Sequence, residues 1–195
     1  DLLNWNFKSE IKSSFFGNGF MWECPDYIKF GDKGVLIFCP QGLEPEGDKY
    51  KNIFQSGYLV GDKINFDNCE FKHGEFLEFD RGFDFYAPQT TKSDDGRNIL
   101  IGWMGLPEIE YPTDENGWAH CLTIPRELTL HGDKLIQNPI RELERLRKNK
   151  RSESYALDNE EVGIEGFNGK VYEVECDFRN ISGTSVGIKL RKGKD

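Results

Sequence analysis

Several familiar signatures are missing from this sequence, and each absence argues against a class of protein. No apolar run approaches the roughly 18 residues that a membrane-spanning helix needs, and no basic n-region followed by an apolar h-region opens the chain. The five cysteines, Cys24, Cys39, Cys69, Cys121 and Cys176, are odd in number and widely spaced, with no CxxC pair and no Cys/His cluster. That spacing argues against a zinc site and a disulfide framework. It suits reduced thiols in a reducing compartment, which points to the cytoplasm. The three histidines, His73, His120 and His131, lack triad-like company and read as surface or core residues. Positive charge is also scarce: the formal net charge is −9, whereas a nucleic-acid partner needs a basic stripe. The basic run RELERLRKNKR (141–151) is interleaved with glutamates and reads as a solvated linker face. Neither a nucleic-acid nor a membrane partner is expected.

What the sequence does have is aromatic and β-branched runs between turn residues. At 195 residues it suits one large or two small domains, and its 15 Phe, 7 Tyr and 4 Trp supply ample core material. Strands are expected at DYIKF (26–30), GVLIFCP (34–40), NIFQSGYLVG (52–61), KINF (63–66), EFLEFD (75–80), FDFYAP (83–88) and NILIGWMG (98–105). Turn signals such as GDKG and SDDGR separate them, as in antiparallel meanders or propeller blades. AHCLTIPRELTLHGDKLIQNP (119–139) reads as two further strands joined at His131-Gly132-Asp133. Ile140, Leu143 and Leu146 allow a short helix behind Pro139 or an extended stretch. RKNKRSES (147–154) reads as a linker. KVYEVECDF (170–178) and TSVGIKL (184–190) then alternate apolar and polar residues, as half-buried strands of a sandwich do. Two such strands make no stable sheet alone. The chain is expected to be a fragment of a longer, all-β protein.

One residue stands out in FMWECPDYIKF (20–30). Glu23 lies among Phe20, Met21, Trp22, Cys24 and Pro25. A carboxylate in apolar surroundings is costly unless paired, and such settings are where general acids are found. The plainer reading is an outward-facing strand residue.

Three stretches together resemble one family. MWECPDYI (21–28) is similar to the Trp-Glu-Cys-Pro-Asp motif of glycoside hydrolase family 32, which includes invertases and sucrose-6-phosphate hydrolases. GFDFYAPQTTKSDDGRNILIGWMG (82–105) resembles that family's Asp-Phe-Tyr-Ala segment and Gly-Trp-Met strand. GWAHCLTIPRELTL (117–130) with LIQNPIREL (135–143) resembles the end of its catalytic domain. The resemblance implies a five-bladed β-propeller followed by a C-terminal β-sandwich. Residues 1–146 would be the last blades of the propeller, 147–154 a linker and 155–195 the truncated start of the sandwich. It places Glu23 at the general acid/base position of a retaining hydrolysis of β-fructofuranosides. Trp22, Cys24 and Pro25 would wall and stiffen its setting. The same resemblance puts Trp103, Tyr86, Asp84 and Cys24 at the sugar site, the flat indole of Trp103 suiting the apolar face of a furanose; core packing for Trp103 and strand-end roles for Asp84 and Tyr86 are the alternatives. It implies a small sugar substrate and no metal or organic cofactor.

The family's nucleophile lies in an Asn-Asp-Pro-Asn motif and its stabilising aspartate in an Arg-Asp-Pro motif. This sequence contains no Asp-Pro dipeptide. Both groups would lie upstream of Asp1, leaving this chain with the acid/base alone and no activity by itself. Two alternatives stay open: a fructan-degrading levanase or inulinase, and a non-catalytic carbohydrate-binding module. The residues settle neither oligomeric state nor whether the sugar carries a phosphate.

Overall fold

A run of seven consecutive buried residues, Gly34–Pro40, lies at the centre of the fold. It belongs to β2 (Lys33–Gln41), which pairs antiparallel with β1 (Met21–Phe30) and β3 (Gly57–Asp62). A short β4 (Leu77–Glu78) completes a four-stranded meander in the order β1-β2-β3-β4. Between its polar ends Lys33 and Gln41, β2 carries no polar side chain because both faces of the sheet are covered. Val35 and Ile37 point into one cluster with Ile28, Tyr58, Val60 and Phe79. Leu36 and Phe38 point the other way, towards Leu59, Ile64, Phe71 and Phe76. Fully burying each large apolar side chain contributes about 1.5–3 kcal/mol, so this strand anchors the unit.

The structure is a computed structural model and describes residues 2–82, 84–166 and 169–192. Phe83, the first residue of one expected strand, and the 193–195 end of the sequence lie outside the described residues. The chain divides into two compact units, Asp1–Arg141 and Glu142–Asp195.

The first unit contains a second antiparallel sheet. β5 (Tyr86–Lys92), β6 (Asn98–Met104), β8 (Arg126–His131) and β9 (Lys134–Pro139) run in that order, and a two-residue β7 (Cys121–Leu122) pairs with β6. Phe85, Leu100, Leu128 and Leu135 bring this sheet into the same core as Val35 and Ile37. Polar ties cross between the sheets. The Leu135 amide donates to the Tyr58 hydroxyl at 3.1 Å, and Arg126 pairs with Asp80 at 2.8 Å. The β8–β9 hairpin turns at Gly132-Asp133, with Gly132 at a φ of 60°.

Some expected strands are shorter than the apolar pattern suggests. KINF (63–66) forms no strand: Asn65 only bridges to Glu70 across a turn over 66–69, in which Asn65 and Asn68 bind main-chain amides two residues on. In NIFQSGYLVG the strand begins only at Gly57, since Asn52 accepts from the Phe54 amide in the same way. The 119–139 stretch forms three strands rather than two.

A 3-10 turn over Arg141–Leu146 carries the chain into the second unit. Residues 151–166 and 169–192 form no hydrogen-bonded strand. Tyr172, Val174 and Phe178, with Val186, Ile188 and Leu190, stand exposed. The alternating stretches therefore lack the ladder expected of them. Two strands without a third partner have nothing to bury their apolar face against. Ion pairs Arg147–Glu173 and Glu161 with Lys189 and Lys192 link side chains here.

Candidate active site

Glu23 stands near the start of β1, where the pairing with β2 falls out of register. From Phe30↔Lys33 to Asp26↔Ile37 the ladder is regular, then it slips so that Glu23 faces Cys39. Within the slip Cys24 takes a φ of 50°, followed by Pro25. β5 uses the same device: its ladder with β6 slips between Tyr86 and Gln89, at Ala87 with a φ of 46°, followed by Pro88. A non-glycine residue in the left-handed region costs about 1–2 kcal/mol, and such strain persists only where the surroundings enforce it. In each strand the residue ahead of the strained one is aimed at the same place.

Glu23 and Tyr86 meet there. The Tyr86 hydroxyl donates to Glu23 Oε2 at 2.7 Å. Gln41 Nε2 donates to the same oxygen at 2.7 Å and to Tyr86 Oη at 3.1 Å. Glu23 Oε1 takes no hydrogen bond from the described residues. Burial, and then the bond to Glu23, push the Tyr86 phenol well above its usual range, which keeps it a donor. Burial pushes the Cys39 thiol up to about 11. Cys24 is raised as well, by burial first and then by the charge of Glu23. Both thiols are therefore neutral near pH 7 and behave as small apolar groups.

The two strands are pinned beside this cluster. Asp26 Oδ2 accepts from the Thr90 amide at 2.7 Å and from the Thr90 hydroxyl at 2.6 Å. Gln89 Nε2 reaches the Cys24 carbonyl at 3.4 Å.

Of the residues singled out in the sequence, Glu23 and Tyr86 are joined directly. Cys24 and Trp103 pack in one cluster with Cys39, Tyr86 and Leu106. Trp103 lies opposite Tyr86 in the β5–β6 ladder, with ring centres 6.3 Å apart. Asp84 joins at one remove. Its Oδ2 accepts from the Tyr111 hydroxyl at 2.6 Å, and the Tyr111 ring packs on His120, which packs on Trp103. The Nε2 of His120 is buried beside these rings, with no hydrogen-bond partner among the described residues. Trp22 does not wall Glu23. It stacks on Phe38 at 4.5 Å in the cluster on the opposite face of the sheet, as strand alternation demands. Gln41, Asp26, Thr90 and Tyr111 escaped the sequence reading. Among the described residues no three His, Cys, Asp or Glu side chains are grouped to hold a metal ion, and no helix is long and apolar enough to cross a membrane.

Known proteins resemble this chain over most of its length. The family model of the glycosyl hydrolases family 32 N-terminal domain matches residues 1–139. The chain belongs to the glycosyl hydrolases, in family 32. A sucrose-6-phosphate hydrolase of Staphylococcus xylosus is 44% identical over 194 residues, covering 100% of this chain and 39% of that protein. One from Bacillus subtilis (strain 168) is 48% identical over 158 residues, or 77% of this chain and 33% of its own length. The Bombyx mori GH32 beta-fructofuranosidase BmSUC1 superposes with a TM-score of 0.70 at 43% identity, covering 76% of this chain and 32% of that enzyme. A mutant of that enzyme was solved in complex with sucrose. The chain therefore spans well under half the length of these relatives.

Proposed function

We propose that the protein carrying this chain hydrolyses terminal β-D-fructofuranosides, either sucrose or sucrose 6-phosphate, with retention of configuration. Glu23 is its general acid/base. The observation that carries this reading is the Glu23 carboxyl itself: one oxygen is held by two donors, and the other has no partner among the described residues, beside an aromatic wall. The sugar-named relatives support the substrate class. In the first step a carboxylate outside these residues attacks the anomeric carbon. The bond to the departing oxygen breaks, and that oxygen takes the proton of Glu23. In the second step Glu23 takes a proton from water, whose oxygen attacks the anomeric carbon and releases the enzyme carboxylate. The two carboxyl groups must stand about 5 Å apart for this route.

Trp103 offers its indole face to the furanose, and Tyr86 orients Glu23. Asp84 acts through Tyr111 and His120 on the setting of Trp103. Cys24 forms part of the apolar floor. The two antiparallel sheets serve as blades of a propeller, residues 1–146 being its C-terminal part, with 147–154 as linker and 155–195 opening a sandwich.

The test is Glu23→Gln in the full-length protein. Its turnover of sucrose should fall roughly 10²- to 10⁴-fold, the usual worth of general acid/base catalysis, with KM little changed. Wild-type turnover of sucrose, its 6-phosphate and inulin, run alongside, separates the disaccharide reading from a fructan-degrading one. No turnover of any of the three would leave only a binding module.

A further inference from the structure

We infer that Gln41 is a positioning residue that selects which oxygen of Glu23 transfers the proton; the inference rests on the reading of Glu23 as general acid/base. The argument is one of hydrogen-bond direction. A side-chain amide nitrogen has two hydrogens to give and accepts nothing, and a phenol has one to give. Gln41 Nε2 gives one to Glu23 Oε2 and the other to Tyr86 Oη. The oxygen of Tyr86 is thereby an acceptor from Gln41, and its single hydrogen goes to Glu23 Oε2. With Glu23 ionised, the amide cannot be turned round, because its carbonyl oxygen would then face a carboxylate oxygen at 2.7 Å with no hydrogen between them.

Two donors converge on Oε2, so the proton that the carboxyl carries sits on Oε1. That oxygen delivers the proton to the leaving group and later receives one from water. Without Gln41, the Tyr86 hydroxyl is free to rotate, and the two carboxyl oxygens become interchangeable.

The backbone beneath Gln41 is braced for this task. Its carbonyl accepts from the Phe20 amide at 2.9 Å, and the Gly42 amide donates to the Ile53 carbonyl at 2.9 Å. The residue pairs with Met21 on one side and bridges to Phe54 on the other. Gly19 approaches the Gln41 carbonyl so closely that any Cβ there would collide with it.

The experiment uses the full-length protein and two substrates: sucrose, whose leaving oxygen needs a proton, and a fructoside whose activated leaving group departs without one. Gln41→Met keeps the length and removes both donors. It should lower kcat on sucrose about 10- to 100-fold, the loss of a charge-assisted bond, with KM within about twofold. Fructosylation by the activated fructoside should be nearly spared. Combined with Tyr86→Phe, the loss on sucrose should be smaller than the product of the single losses, because both variants open the same ring. Gln41→Leu, which also removes both donors and adds no charge, is read in the same way should the Met variant fold poorly. Equal losses on the two substrates, or a change in KM alone, would overturn the role of Gln41. Glu23→Gln is run in parallel. If it discriminates between the substrates while the Gln41 variants do not, only the Gln41 assignment falls. If it does not discriminate, the acid/base reading falls with it.

Discussion

Asp26→Ala removes the clamp that fixes the Glu23 strand to the Tyr86 strand. A single carboxylate oxygen, half-buried, holds both the amide and the hydroxyl of Thr90, at 2.7 and 2.6 Å. Hydrogen bonds to a charged group contribute about 1.5–3 kcal/mol each, and an orphaned amide costs about 1–3 kcal/mol. Because the two bonds share one oxygen and Asp26 is partly exposed, we expect a total loss of about 2–4 kcal/mol rather than the full sum. Asp26→Asn keeps a carbonyl oxygen in place and loses only the charge, so about 1 kcal/mol is expected. Urea unfolding of the full-length protein should show a lower midpoint with an unchanged slope. Hydrogen exchange should show the Thr90 amide protected in the wild type and in the Asn variant, but open in the Ala variant. If Ala were as mild as Asn, or if the Thr90 amide kept its protection in Ala, the clamp would not exist as described.

Two further outcomes follow from the same neighbourhood. Cys39, buried opposite Glu23, has its thiol raised to about 11 from a usual value near 9.0. The folded state thus holds that proton more tightly than the unfolded one, and this contribution to stability fades as pH rises from about 9 to 11. Alkylation by iodoacetamide in the folded protein should mark the exposed Cys121 readily and Cys39 only near the top of that window; early labelling of Cys39 would contradict its burial. Gly105→Ala would press a methyl against Trp103 Nε1 and the His120 ring. Overpacking of this kind costs about 1–3 kcal/mol, so a lower melting temperature and a raised KM are expected, and an unchanged KM would separate Trp103 from the sugar.

How much of this was legible depended on the range of the interactions involved. β2 was readable because a strand covered on both faces is apolar throughout, and GVLIFCP has that pattern. Glu23 was readable because its motif is local. KINF misled because Asn65 and Asn68 satisfy main-chain amides that a strand would have paired, a local competition that apolar content does not register. Gln41 was hidden for a different reason. A regular hairpin from Gly31-Asp32 would set Glu23 opposite Pro40, and only the slip at Cys24-Pro25 sets it opposite Cys39 and brings the Gln41 amide to its carboxyl. The Asp26–Thr90 clamp joins residues 64 positions apart on different sheets, and no spacing rule reaches that far. His120 belongs to the same class, since its company of Trp103 and Tyr111 is assembled by the 105–120 connection rather than by a motif.

The measurement that bears most directly on the central claim is azide rescue of Glu23→Gln in the full-length protein, on a fructoside whose leaving group needs no proton. With the acid/base removed, fructosylation should proceed nearly as in the wild type. The fructosyl intermediate should then accumulate, because no base activates water. Azide needs no base, so adding it should restore turnover and yield a fructosyl azide of retained configuration. Equal loss on activated and ordinary substrates, with no response to azide and a lowered melting temperature, would make Glu23 a structural strand residue and contradict the account.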